Sequence, residues 1–442
     1  MALKKVNVII LLPFFFSCSS GTPSKIISNP EIAFVKTFGG TKNESANTII
    51  KTNDGGYLVA GFTQSSDGDI TNKLNDSFDF LLLKFDANNN LQWQNTFGGS
   101  DDDRASDVVE SSDGGFVVLG ASKSIDGDVS ENNGQQDYWL TKIDAFGNLL
   151  WQKTYGFSGA DSGTSLIATN DGGYLLTGIL DVTASGGAGN SRATNSKHAG
   201  GDYWVIKVNN LGELQWSKYF GGTFTDTPFN LIETDINEYI IVGSSDSQDV
   251  DITNPKGQYD FWVIKISNTG NLIWEKSFGG DQNEEAKGIT KTNDGNYLII
   301  GDTRSNNKDV TNNKGAADLW LIKISPLGDL IWEKTIGGTS FDSGTSISNT
   351  LDNGFILCGN SRSSDMDVSS NYGQNDAWII KINVEGILEW QKSIGGSNFD
   401  FAHDVIQLNN ETIICVGETS SSDFDIPENK GFTDLLIINI NE

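Results

Sequence analysis

Paired acidic residues are the most regular chemically capable feature of this sequence. An Asp-x-Asp-[Val/Ile] pattern recurs along the chain and survives as Asn307/Asp309 in one further copy. Carboxylates interspersed with Gly and Asn are the hard oxygen ligands that Ca²⁺ takes, although the closing Glu of a helix–loop–helix calcium site is missing. The pattern predicts either calcium as a cofactor or loops held by Asx-type hydrogen bonds. The candidate metal ligands are Asp67, Asp69, Asp126, Asp128, Asp249, Asp251, Asp365, Asp367, Asp423 and Asp425.

A second acidic set stands four positions after each double glycine or its equivalent. These side chains would form either a cation-binding ring or a series of turn caps that accept backbone N–H groups. Sevenfold repetition favours caps, because a structural need recurs in every unit whereas a single binding site does not. The set, called the acidic collar below, is Glu44, Asp103, Asp161, Asp226, Glu284, Asp342 and Asp400.

Binding residues are expected where the repeated units differ from one another. The third unit replaces the Asp-x-Asp pattern with Val182–Gly201, a loop rich in Gly, Ser and Asn that holds Arg192, Lys197 and His198. Long loops on a rigid scaffold often carry binding residues, and a disordered insertion is the alternative. Arg192, Lys197 and His198 are therefore candidate ligand-binding residues.

One position within the units also varies freely, three residues beyond the acidic collar. Two residues beyond the collar the side chain is always Ala, Gly or Pro, and five beyond it is always aliphatic. Uniform positions pack, so the variable position is predicted to face a central channel. Phe229, Lys287 and His403 are the candidate ligand-binding residues of this set, which is completed by Asn47, Ser106, Thr164 and Thr345.

Recognisable catalytic motifs are missing from the sequence. It has no Gly-x-Ser-x-Gly elbow, His-Glu-x-x-His pair, phosphate loop or dinucleotide fingerprint. Two histidines are too few for a typical histidine-based metal centre. Two carboxylates about 5–10 Å apart could serve glycoside hydrolysis, so a polysaccharide-active enzyme stays open as an alternative.

The charge of the chain argues against one class of partner. The formal net charge is −28, and no basic cluster occurs beyond the first residues. Nucleic-acid binding relies on Lys and Arg patches, so no nucleic-acid partner is expected.

The residues above are held by a repeat of fixed period. The segment Asp137–Gly156 recurs in near copies, and the double glycines that end each copy are 58 or 59 residues apart, or 65 across the third unit. Each of the seven units contains four strand-like segments, the first two joined by an Asp-Gly-Gly hairpin turn in several units. Apolar second and third strands need cover on both faces, whereas the fourth strand alternates like a sheet edge.

This arrangement predicts an all-β fold, a seven-bladed β-propeller of four-stranded antiparallel blades over residues 31–442. The chain opens on a lone fourth strand, Ala33–Phe38, and ends on a third strand, Asp434–Ile440. The N-terminal strand is therefore expected to complete the last blade and close the ring. All eleven tryptophans occupy the third or fourth strand of a unit, where they are expected to pack between blades.

The Asp-x-Trp … Gly-x-[Leu/Ile]-x-Trp … Gly-Gly … Asp-Gly-Gly-Tyr repeat resembles the tandem repeats of secreted bacterial propeller lipoproteins. It covers nearly all of residues 33–442. The resemblance implies a propeller anchored in the cell envelope and supplies no catalytic residues.

The N-terminus agrees with export. Lys4 and Lys5 precede the apolar run Val6–Phe16, which is too short to span a bilayer. Residues 1–17 are predicted to be a lipoprotein-type signal peptide, because the segment ending at Cys18 resembles a bacterial lipobox. Cys18 would then be lipidated, and residues 18–30 would form a flexible tether. Ordinary cleavage near Ser20 is the alternative.

These features together predict an exported, lipid-anchored propeller that acts as a non-catalytic binding or scaffold module for envelope proteins or glycans. The expected location is the outer membrane, on a side that the sequence leaves open. A calcium-stiffened structural ring is a further alternative. The remaining cysteines, Cys358 and Cys415, lie in apolar strands and are expected to be buried free thiols.

Overall fold

The computed structural model describes residues 30–190 and 198–442. The predicted signal peptide, Cys18, most of the tether, Arg192 and Lys197 lie outside the described residues. Within the described part of the chain, the structure contains no helix with the length and apolarity needed to cross a membrane.

The strands form seven four-stranded antiparallel sheets, as predicted, and each sheet is one blade. Blades 1 to 3 consist of β2 Glu44–Lys51, β3 Tyr57–Thr63, β4 Asp79–Phe85 and β5 Leu91–Phe97; β6 Asp103–Glu110, β7 Phe116–Ser122, β8 Asp137–Ile143 and β9 Leu149–Tyr155; and β10 Ser162–Ala168, β11 Tyr174–Asp181, β12 Gly201–Val208 and β13 Leu214–Phe220.

Blades 4 to 7 repeat this order. They consist of β14 Asp226–Glu233, β15 Tyr239–Ser245, β16 Asp260–Ile266 and β17 Leu272–Phe278; β18 Glu284–Lys291, β19 Tyr297–Thr303, β20 Asp318–Ile324 and β21 Leu330–Ile336; β22 Asp342–Asn349, β23 Phe355–Ser361, β24 Asp376–Ile382 and β25 Leu388–Ile394; and β26 Asp400–Gln407, β27 Thr412–Thr419, β28 Asp434–Asn441 and β1 Glu31–Phe38. One short helix, α1 Val182–Ser185, follows β11.

The ring is closed by the N-terminal strand. β1 pairs antiparallel with β28, and Lys36 lies opposite Ile437 in the register. The Ile32 and Val35 side chains pack against the apolar cluster between blades 6 and 7, while Phe34 and Phe38 pack against the cluster between blades 7 and 1. Closure therefore joins residues some 400 positions apart through both main-chain pairing and apolar burial.

The core lies between the blades. The second and third strands are almost completely buried in every blade, because each blade is covered on both faces by its neighbours. Third-strand tryptophans sit in these interfaces, as predicted, and four of the five pair with an aromatic ring of the preceding blade: Phe80 with Trp139, Tyr138 with Trp204, Tyr203 with Trp262 and Phe261 with Trp320, at centroid distances of 4.6–5.0 Å.

The fourth-strand tryptophans also join blades, but at the rim. A Cβ atom built on the turn glycine Gly147 would lie 3.1 Å from the Trp93 ring, and Gly212, Gly270 and Gly386 meet the corresponding tryptophan of the preceding blade in the same way. Gly147 has a φ of +84°. Both the tight turn and the close approach of the indole ring therefore require glycine.

A buried lysine ties the third strand to the first hairpin in six blades. Its ammonium group lies 2.6–2.9 Å from a carboxylate of the hairpin between the first two strands. The lysine side chains are at most 8% exposed, whereas the acidic partners are reached by water. The pairs are Lys84–Asp54, Lys142–Asp113, Lys207–Asp171, Lys265–Glu238, Lys323–Asp294 and Lys381–Asp352.

Both cysteines of the described chain are buried free thiols, as predicted. Cys358 and Cys415 belong to the same apolar cluster between blades 6 and 7.

The junction at which β1 pairs with β28 and closes the ring, called the seam below, makes a testable prediction. Val35→Asp places a carboxylate against the apolar cluster of the seam and should lower Tm by about 3 °C or more, because apolar burial is lost and a charge is desolvated. Lys36→Asp adds the same carboxylate on the exposed face of β1 and should change Tm by less than about 1 °C. Calorimetry combined with limited proteolysis of the N-terminal segment measures both effects. Equal melting of the two variants would show that β1 does not hold the ring closed.

Candidate functional site

The first strand of each blade carries a β-bulge that builds the central channel. These seven inner strands contact one another around the axis. In blade 1 the register between β2 and β3 shifts between Ala46 and Thr48, so Asn47 is the extra residue. The same shift recurs in every blade. A bulge re-aims the side chain of its extra residue, which here turns toward the axis.

The seven bulged residues all line one central cavity of about 370 Å³, called the channel below. The prediction that the variable position faces a channel is confirmed. The lining is asymmetric, because five of these side chains are polar and uncharged or are imidazole, whereas blades 4 and 5 contribute an aromatic ring and an ammonium group. The residues are Asn47, Ser106, Thr164, Phe229, Lys287, Thr345 and His403.

Two of the candidate ligand-binding residues contact each other. The Lys287 ammonium group lies 3.5 Å from the centre of the Phe229 ring and 2.7 Å from a Glu285 carboxylate oxygen. Stacking on the ring and pairing with Glu285 hold the ammonium group at the channel wall. The pair therefore offers a preorganised cation beside an apolar surface.

The third candidate, His403, belongs to a ring of contacts between inner strands. Its Nδ1 lies 2.8 Å from the Ala46 carbonyl, which can only accept, so Nδ1 carries the hydrogen. Asn47 and Thr345 donate in the same way to the carbonyls of Ala105 and Ala402, at 2.7 and 2.8 Å. In three blades the bulged side chain thus both lines the channel and ties adjacent inner strands together.

Two carboxylates in the channel wall are fully engaged. Asp404 accepts from the backbone N–H groups of Ile49 and Val405 and from the Ser346 hydroxyl, at 2.6–2.8 Å. Asp107 is held by Val108, Ser165 and Leu166 at 2.8–2.9 Å. The Thr48 hydroxyl lies between the two, 3.1 Å from Asp404 and 3.3 Å from Asp107. Burial raises the pKa of Asp107 to about 6.

These carboxylates suit a structural role better than an acid–base role. Every oxygen of Asp107 and Asp404 already has a donor, and the contacts cross from blade 6 through blade 1 to blade 3. A general acid must present an oxygen to its substrate. Asp107 and Asp404 therefore do not supply the pair of free carboxyl groups that the enzymatic alternative requires.

The acidic collar caps turns at the mouth of the channel. All seven side chains are 0% exposed. In each blade a collar oxygen accepts the backbone N–H of the second residue of the double glycine, or of Phe157 in blade 3, at 2.7–2.8 Å. The collar side chains therefore act as turn caps, which is one of the two roles that the sequence predicts for them.

Each collar residue is also close to the aspartate that opens the third strand of the preceding blade. A Cβ atom built on Gly337 would lie 2.6 Å from an Asp318 oxygen and 2.9 Å from an Asp342 oxygen, so the two oxygens are within about 5.5 Å of each other. A side chain on the first glycine of the double glycine would collide with this carboxylate pair, so the position requires glycine. Burial, with repulsion from Asp342, raises the pKa of Asp318 to about 6.

The Asp-x-Asp residues bind the same connections. The first aspartate accepts the backbone N–H of the residue that follows the double glycine; in blade 1 the Thr41 N–H donates to Asp67 at 2.8 Å. In four of the five predicted copies the second aspartate accepts the backbone N–H of the first glycine, at 3.1–3.2 Å. Within residues 30–190 and 198–442, no three or more His, Cys, Asp or Glu side chains are grouped to hold a metal ion. The predicted calcium sites gain no support from this geometry.

The third blade shows how these parts depend on one another. A Cβ atom on Gly40 would lie 2.4 Å from an Asp67 oxygen, so the Asp-x-Asp turn excludes a side chain at the second glycine. Blade 3 has α1 in place of this turn and has Phe157 in place of the glycine, and the Phe157 ring packs 5.7 Å from Trp204. The replacement of the second glycine by Phe157 and the replacement of the Asp-x-Asp turn by α1 therefore depend on each other, because the turn leaves no room for a side chain at this position.

His198 lies away from the channel lining. Its Nδ1 is 2.5 Å from an Asp202 carboxylate oxygen, and its ring packs edge-on against Tyr219 at 4.8 Å. The side chain is 2% exposed. The structure therefore does not bring His198 together with Phe229, Lys287 and His403.

Two pockets at the mouth were missed by reasoning from the sequence. One, of about 340 Å³, contains Arg104 beside Phe62. The other, of about 360 Å³, contains the parallel rings of Phe399 and Phe401 with Glu418. The sequence did contain a signal for both. The position directly after the acidic collar holds Arg104 and Phe401, whereas four of the other five units have Ser or Thr there.

Closed blades around a lined central channel define a seven-bladed β-propeller. No family model matches the chain. It is 24% identical over 205 residues to Regulatory protein FlaEY of Caulobacter vibrioides, a match that covers 44% of this chain and 21%, about a fifth, of that protein.

Solved structures of varied kinds match most of this chain at low sequence identity. The WD40 domain of Neurospora crassa Pan2 has a TM-score of 0.47 at 10% identity, with 91% of this chain and 95% of that chain covered. Puromycin hydrolase has 0.49 at 10%, with 86% and 50% covered. Sqt1 from Chaetomium thermophilum has 0.45 at 10%, with 93% and 99% covered. Such distant likenesses say nothing about activity.

The carboxylate pairs predict that stability falls as the pH rises from about 4 to 8. Burial raises the pKa of six third-strand aspartates to about 6, above the usual value of about 3.9. Their stabilising contribution is therefore complete below about pH 4 and is lost as the pH rises through about 6. Tm measured from pH 4 to 8 should fall toward pH 8. The residues are Asp79, Asp137, Asp260, Asp318, Asp376 and Asp434.

One pair allows a direct check. Asp318→Asn keeps an acceptor for the Lys314 N–H and adds a donor toward Asp342, so it should stabilise the chain at pH 7.5 by about 1 kcal/mol and flatten the pH dependence. Asp329→Asn, in an exposed turn, removes the same charge and should change neither quantity. Destabilisation by Asp318→Asn at pH 7.5 would contradict the close carboxylate pair.

Proposed function

We propose that this chain is an exported, lipid-anchored β-propeller that acts as a non-catalytic binding module in the bacterial cell envelope. Its binding surface is the channel together with the mouth that the acidic collar surrounds. The ligand is an envelope glycan or protein. The location and the lipid anchor rest on the N-terminal sequence, which lies outside the described residues.

One observation carries the proposal. The scaffold positions are nearly identical in seven blades, whereas the bulged position differs and faces a common cavity. A purely structural ring would have no need for an aromatic ring and an ammonium group at this position. Variation confined to a concave, accessible surface on a rigid frame is typical of binding sites.

The channel offers more than one kind of contact. Lys287 supplies a fixed cation, Phe229 an apolar face, and Ser106 and Thr164 hydroxyl groups. Apolar surface with a few placed polar groups suits a ligand that carries both hydroxyl and apolar faces, such as a sugar or an extended peptide. The rigid ring needs little rearrangement on binding, which limits the entropy cost.

The test is a binding screen followed by substitution. Full-length protein is immobilised and probed with an array of bacterial envelope glycans and with envelope proteins. The double variant Phe229→Ala/Lys287→Ala should weaken binding of a captured ligand about tenfold or more, because it removes the charged and the apolar contact together. Binding is measured by calorimetry.

Lys291→Ala is the matched control. Lys291 lies at the far end of the same strand, β18, and pairs with Asp235 at 2.7 Å on the surface. Its removal should leave affinity within about twofold. Empty results from both screens, or a captured ligand that is indifferent to the double variant, would refute the proposal.

A further inference from the structure

Arg104 occupies an unusual position at the mouth. It follows the collar residue Asp103 on β6, and its side chain is exposed. The guanidinium carbon lies 3.8 Å from the centre of the Phe78 ring and 4.9 Å from that of Phe62, and these two rings meet edge-on at 5.4 Å. Contact with both rings holds the guanidinium group in place through cation–π attraction, and its N–H groups can still donate to a ligand.

The guanidinium group has no carboxylate partner. No carboxylate oxygen of the described residues lies within 4.0 Å of it, and the stretches 1–29 and 191–197 contain no acidic residue. The described arginines Arg304 and Arg362 likewise have no carboxylate oxygen within 4.0 Å, so Arg104 is distinguished by its close contact with two rings at the wall of a pocket. The nearby Asp102 is paired with Lys123 at 3.5 Å instead. Arg104 is therefore a fixed cation that the protein itself leaves without a counter-ion.

Arg104 opens onto the pocket of about 340 Å³ described above, here called the Arg104 pocket. Phe62 forms an apolar side of this pocket, and Gln136, Ser106 and Ser162 contribute amide and hydroxyl groups. Ser106 also lines the channel, so the pocket and the channel share a wall. The position of Arg104 is held by Ser, Thr, Glu or Phe in the other blades. The site is thus particular to blades 1 to 3.

We propose that the Arg104 pocket binds the carboxylate of an acidic sugar, a hexuronic acid unit of a glycan. The guanidinium fork pairs with the planar carboxylate through two parallel N–H···O contacts. The Phe62 ring packs against the apolar face of the pyranose. The Gln136, Ser106 and Ser162 side chains bond its hydroxyl groups. The inference rests on the proposed function, for which it names the ligand class.

Charge favours a carboxylate over a phosphate. The net charge of −28 repels a dianion more strongly than a monoanion, and the Asp102 carboxylate is among the groups that line the pocket. A hexuronic acid carries a single charge on a body rich in hydroxyl groups. It therefore matches a pocket with one unpaired guanidinium group, in which Lys123 and Asp102 pair with each other and the remaining polar side chains are neutral.

The test uses full-length protein and calorimetric titration with a hexuronic acid tetrasaccharide. The same tetrasaccharide with its carboxyl groups reduced to alcohols, and inorganic phosphate, are titrated in parallel. The acidic tetrasaccharide should bind about tenfold or more tightly than the reduced one, and phosphate should not compete. Arg104→Gln should remove this preference, and Arg104→Lys, which keeps the charge without the fork, should restore part of it.

Arg304→Gln is the matched control, because Arg304 is an exposed arginine 5.8 Å from the Phe341 ring and its loss changes the net charge equally. Its affinity should stay within about twofold of the unchanged protein. Unaltered binding by Arg104→Gln, equal binding of the reduced tetrasaccharide, or effective competition by phosphate would overturn the assignment. If the acidic tetrasaccharide fails to bind while another ligand binds through Phe229 and Lys287, the assignment falls and the proposed function stands.

Discussion

Closure of the ring is the constraint on which the rest of this molecule depends. Seven apolar sheets stay covered on both faces only if the last blade packs against the first. The pairing of β1 with β28 supplies the missing strand. Around the axis, the Asp404 carboxylate accepts the Ile49 N–H at 2.8 Å, and the Glu44 N–H donates to the Thr433 carbonyl at 2.9 Å. The seam is therefore joined at the rim, at the channel wall and at the mouth.

The same constraint explains the abundance of acidic residues. Each blade must turn sharply at the mouth to begin the next inner strand, and such turns leave backbone N–H groups without partners. The acidic collar and the Asp-x-Asp residues satisfy them, and the double glycine makes room for the carboxylates. Patterns that suggest a cation site in sequence thus serve the connections between blades. Positions that take no part in these turns are the ones that remain available for ligand binding.

The candidate site was predictable in part. The free variation at Phe229, Lys287 and His403 indicated a surface without packing demands, and the structure places all three on the channel. The bulge that puts them there also had a signal, because uniform positions two and five residues beyond the collar cannot share a face of a regular strand. The sequence marked Arg104 as an exception at its position, but the pocket around it was not predictable, since it needs Phe62 and Phe78 of blade 1 beside a residue of blade 2.

The sequence by itself determined the period, the number of blades, the strand order and the manner of closure, because these follow from local patterns that are repeated seven times. Tertiary structure alone decided which side chains meet across blades. It turned His198 inward against Asp202, stacked Lys287 on Phe229, and left Arg104 without a carboxylate. The physical reason is that contacts between blades join residues about 58 positions apart, whose distances depend on the tilt and packing of whole sheets, and local pattern carries no information about these.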